Sequence, residues 1–183
     1  MSRLRTPSTA PDEECIENGS KYWSQIDREG PGRSGTVWDE QAVARWRYRV
    51  RSNPVGRGWG NPFNKPDFAI TDADGQAELV IRRVSFVPSV FHILHGNHVT
   101  GQIRRCSVLR NKYAVDIHGV NSWTFQMPLF TLQFYGDSET GTDIWVAVGP
   151  SKMDWKILIR PGVSDHQLVA ALVFIHTEWW NCG

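Results

Sequence analysis

Ser164-Asp-His-Gln-Leu-Val-Ala-Ala-Leu-Val-Phe-Ile-His176 is the stretch on which the fold turns. Ser164 at the N-cap and Gln167 three residues later form a capping box, and Pro161-Gly162 breaks whatever runs before it. Behind the box, Leu168 to Ile175 are apolar without interruption. A helix apolar on every side has no face to offer water, so it must be covered on every side. The same run rises only roughly 12 Å, far short of the ~30 Å hydrocarbon core of a bilayer. A helix over 165–180 is therefore expected at the centre of the molecule.

What surrounds it reads as strand. Trp46, Tyr48 and Val50 alternate with Arg45, Arg47, Arg49 and Arg51, the period of a half-buried strand. The Arg face reads as a solvated sheet surface, with a phosphate-binding stripe as the alternative. Residues 53–66 are rich in Pro and Gly and read as loop. Phe68 and Ile70 lead to Asp74-Gly75, then Leu79 and Ile81 alternate with Glu78, Val80 and Arg82, a hairpin signature. Further strands are expected at 90–94, 99–103, 112–117, 123–126, 130–135, 144–148 and 155–159. An internal echo joins two of these hairpins: Phe68 to Arg83 resembles Phe91 to Arg105, each ending in a double Arg. So many short strands around one apolar helix predict a closed antiparallel β-barrel of about 10–12 strands with a helical core.

The first 36 residues differ in texture. Pro7-Ser-Thr-Ala-Pro11 and Gly30-Pro-Gly-Arg-Ser-Gly35 predict a flexible N-terminal segment over 1–36, with Tyr22, Trp23 and Ile26 as one short helical turn. The barrel domain is expected over 37–183. Arg3 and Arg5 precede no apolar run, so no secretory leader is expected. Cys15, Cys106 and Cys182 form no CxxC pair, which suits unpaired thiols in a reducing, cytoplasmic setting. The chain has 183 residues with 20 Lys+Arg against 19 Asp+Glu, a net charge of +1, so no nucleic-acid partner is expected. Its nine Trp imply a large core or an aromatic surface.

The Asp74-Gly75 hairpin, the Gly101-Gln-Ile-Arg104 run and the terminal helix at 165–176 give the chain a resemblance to the tubby-like superfamily, over roughly 40–180. That superfamily includes the phospholipid scramblases and the plant LURP-one-related proteins. The resemblance implies a barrel of about twelve strands threaded by a hydrophobic C-terminal helix, and a connection with lipid. The acidic calcium segment of scramblases and the phosphoinositide pocket of tubby have no clear counterpart here.

Motifs for chemistry are sparse. There is no GxSxG, no phosphate loop and no Cys in a base-bearing context. Gly56-Arg-Gly-Trp-Gly60 is Gly-rich but opens no helix. Asp137 to Asp143 offers carboxylates and hydroxyls to a cation, yet lacks EF-hand spacing and reads as a solvated hairpin loop. His92, His95 and His98 flank one turn, poorly placed for a tetrahedral zinc site, while His118 reads as turn and His176 as structural. Neither metal nor cofactor is implied.

The double Arg pairs carry more. If Ile81 and Ile103 point into the barrel, Arg83 and Arg105 share their face and must reach its rim and turn out to water. With Arg110 and Lys112 they make a basic group at one mouth, suited to solubility or to an anionic headgroup. The sequence thus points to a non-catalytic binding or interaction module, for anionic phospholipid or a protein partner, peripheral to a membrane in the first case. Beside it stand a lipocalin-like barrel carrying a small hydrophobic ligand, and an enzyme without a recognisable motif.

Overall fold

The computed structural model describes residues 18–27, 34–51, 67–76, 78–107, 111–126, 133–149, 153–163 and 166–180. Alternating apolar and polar residues build twelve strands: β1 (Ser20–Ile26), β2 (Ser34–Asp39), β3 (Ala44–Arg51), β4 (Asp67–Asp72), β5 (Glu78–Phe86), β6 (Ser89–His95), β7 (His98–Ser107), β8 (Lys112–Ile117), β9 (Asn121–Gln126), β10 (Gln133–Ser138), β11 (Gly141–Val148) and β12 (Asp154–Ile159). Each pairs antiparallel with the next, and β12 returns to β1 with Ser20 opposite Ile159 and Gln25 opposite Asp154. The barrel is closed, so none of the described strands leaves an edge to recruit another chain.

Inside it runs α1 (His166–Trp180). Every residue from Leu168 to Thr177 is buried. His166 stacks on Trp46 near the start of β3, at 5.4 Å between ring centres. Phe174 meets Phe68 on β4 and Phe91 on β6, and His176 stacks on Trp155 of β12 at 4.1 Å. Trp46 lies at the opposite end of the wall from those three rings. The helix therefore enters through the mouth formed by the β2–β3, β4–β5 and β6–β7 turns and ends toward the other, gripped from several sides. Inward rows such as Phe68–Ile81–Ile93 and Phe91–Ile103–Val115–Trp123 complete the packing. The lumen is filled, whereas a lipocalin-like carrier needs it empty.

The boundary at 36/37 is corrected. β1 and the first residues of β2 lie inside the segment expected to be flexible, and β1 closes the barrel. Tyr22, Ser24 and Ile26 face inward while Trp23 and Gln25 face out, an alternation masked by the polar Ser24 and by the Pro- and Gly-rich sequence on either side. The expected helical turn at Tyr22 is thus a strand. The strand expected at 130–135 is displaced too: β10 runs Gln133–Ser138, and 130–132 lie outside the described residues, as does Ser164 of the capping box. The solvated loop at Asp137–Asp143 shrinks to a turn at 139–140.

Candidate functional site

Arg83 and Arg105 come together at the mouth toward which α1 ends. Register explains it: Arg83 pairs with Phe91, and Arg105 with Ser89 two residues earlier on β6. Arg83 Nη2 donates to Ser89 Oγ at 3.2 Å, and Arg105 Nη2 donates to Asn111 Oδ1 at 2.9 Å. Each guanidinium also lies over a ring, Arg83 at 4.9 Å from the centre of Phe91 and Arg105 at 5.8 Å from that of Tyr113. The two arginines lie toward this end of the wall and do not turn out to water. Both are half-buried, with Nε buried, because the inward aromatics below them offer a face on which a cation is stabilised.

Lys112 does not join them. It follows Asn111 on the outer wall and lines a groove of about 420 Å³ with Thr124, Gln126, Gln133, Tyr135 and Asp137. Arg110 lies outside the described residues. The partners Arg82 and Arg104 face outward, Arg82 in a salt bridge to Asp67 at 2.7 Å that raises its pKa, through hydrogen bond and charge together.

The histidines weighed as cation ligands do not converge. His95 faces His98 across a turn while His92 sits opposite Gln102. Among the described residues, no three of His, Cys, Asp and Glu gather closely enough to hold a metal ion. Asp143 is buried, accepting from Trp123 Nε1 at 2.9 Å and from Arg160 at 3.4 Å. Its place in a polar stretch concealed that inward role; the indole waiting on β9 has no sequence signal at this distance along the chain.

A second feature was hidden with β1. Trp23 and Trp38 are cross-strand partners on the outer wall, and Trp23 is 38% exposed. They line a groove of about 620 Å³ together with Gln25, Asp39, Glu40 and Asp154. Asp39 is committed to the β2–β3 turn: its Oδ1 accepts from the N–H groups of Gln41 and Val43, and Arg45 bridges Oδ2 at 2.5 Å. Burial pushes its carboxyl up, but these donors outweigh burial and hold it below the usual range.

No described helix is long and apolar enough to cross a membrane. No family model, curated protein or solved structure matches the chain.

Proposed function

We propose that the protein is a non-catalytic binding module of the tubby-like kind, which takes anionic lipid headgroups at the mouth where α1 ends. Twelve strands around one buried helix support the kinship. The observation that carries the binding reading is the juxtaposition of Arg83 and Arg105 about Ser89 at one rim. Two guanidiniums held by hydrogen bonds and rings are pre-organised for a phosphate, which they can meet with paired N–H donors. Such a module works at the cytoplasmic leaflet, where anionic lipid is concentrated.

The test is co-sedimentation with vesicles of phosphatidylcholine containing phosphatidylserine, at two salt concentrations. At about 1 kcal/mol per basic residue near the surface, Arg83→Gln/Arg105→Gln should weaken binding roughly thirtyfold. Wild-type binding should also fall as salt screens it. Absence of wild-type binding, or equal binding by the double variant, overturns the reading.

A second role has its own observation. Phe91 carries Arg83 on one side and touches Phe174 of α1 at 4.7 Å, so the cation sits close to the helix's last turns. The carbonyl end of a helix favours cations. If that is the arginines' whole role, the double variant melts lower while vesicle binding is unchanged.

A further inference from the structure

Among the described residues, no large apolar side chain is as open to water as Val87, 93% exposed at the tip of the β5–β6 hairpin. Pro88 beside it is exposed, and Val84, at the register shift between Arg83 and Ser85, is 50% exposed. This tip stands at the mouth toward which α1 ends, next to Arg83 and Arg105. We infer that it is a wedge that enters the headgroup–acyl boundary of an anionic bilayer while the arginines meet the headgroups. The inference rests on the headgroup reading above and deepens it: the partner is an intact membrane, not a headgroup free in solution.

Register sets the depth. Ser89 is level with Phe86 on one side and Arg105 on the other, while Arg83 is level with Phe91, so Val87-Pro88 turns beyond both arginines. Val87 follows Arg83 by four positions, one of them spent on the register shift. At ~3.4 Å per residue and a strand tilt of about 40°, the tip stands roughly 8 Å past the level of Arg83. Guanidiniums among the phosphates thus put Val87 within the ~5–10 Å at which interfacial apolar groups lie. Charge selects this mouth over the other. Arg104, outward and exposed opposite Val90, adds a cation beside the hairpin, and Arg82 is bridged to Asp67. The carboxylates Asp27 and Asp154 belong to the β1–β12 side, half the barrel away. Val43 and Val120 are half-exposed at the opposite mouth, but in anionic company. Glu40, Asp74 and Glu139 are exposed in its turns, and Arg45 and Arg160 there are each bridged to a carboxylate. An anionic surface repels that end and draws this one.

The probes are vesicles and monolayers of phosphatidylcholine containing phosphatidylserine. Val87→Ser changes only an exposed turn residue, so it keeps the fold, which an unchanged melting midpoint checks. It should bind vesicles about tenfold more weakly than wild type, at low and at raised salt alike, because apolar burial is not screened. Val87→Phe should bind several-fold more tightly. Wild type should raise the surface pressure of the monolayer, and Val87→Ser should raise it less. Vesicle binding that is lost in Arg83→Gln/Arg105→Gln but equal in wild type and Val87→Ser, with no rise in pressure, overturns the wedge and leaves the headgroup reading standing. Weakened binding by Val87→Ser with full binding by the arginine variant overturns the headgroup reading and keeps the wedge. Wild type that stays in the supernatant overturns both.

Discussion

Gly35 shows how tightly single residues are fixed in this wall. A Cβ there would overlap the Tyr48 ring and hydroxyl and the Gln25 carbonyl, because Tyr48 lies across the glycine to donate to Gln25 O at 3.0 Å. Gly35→Ala should cost about 2–3 kcal/mol, read as a lowered urea midpoint with unchanged slope. Burial, aided by the Asp27 carboxylate, pushes the Tyr48 phenol well above its usual value of 10.0. The unfolded chain then ionises Tyr48 first as pH rises, so this stability is intact below about pH 10 and lost above it. Urea titrations at pH 8 and pH 11 should show a smaller alkaline loss in Tyr48→Phe than in wild type. Asp39 acts in the opposite direction. Its lowered pKa gives stability above its ordinary value of 3.8 that is lost as pH falls, and Asp39→Asn should flatten that acid loss. Of these groups the sequence displays Tyr48 as core and nothing of Gly35, since the contact joins residues far apart in the chain.

Elements were legible where their period was clean. The echo between 68–83 and 91–105 has a structural counterpart: Phe68 pairs with Ile81, Phe91 with Ile103, and both phenylalanines clasp Phe174 of the helix. The apolar run at 168–175 announced a covered helix, and a charge placed in it is a direct test. Leu172→Asp should yield insoluble or molten protein, with weak near-ultraviolet circular dichroism. β1 was not legible, because Ser24 stands at an inward position that an apolar residue would have marked. Its importance is now plain. Deleting 1–27 removes one full strand, with Tyr22 and Ile26 from the core, and opens β2 and β12. The cooperative melting transition should vanish, and an unchanged midpoint would show that β1 is dispensable. The basic mouth was half legible: spacing put Arg83 and Arg105 at the rim, but the rings that draw them inward come from neighbouring strands.

At the scale of the molecule, the order in which the chain is made conflicts with the order in which it can close. β1 leaves the ribosome before β2 to β12, yet its partner β12 directly precedes the helix, and the helix must occupy the lumen before the hoop is sealed. A growing chain can form hairpins such as β4–β5, but it cannot form the native seam until β12 has been made. Pairing across such a sequence separation is slow, and open strand edges are exposed meanwhile. A chain ending at residue 163 should therefore aggregate rather than fold, and stalled nascent chains should stay protease-sensitive until the helix emerges. A hoop that sealed early would shut its own axle out, so the helix acts as the molecule's assembly checkpoint: closure becomes stable only once the helix is there to be enclosed.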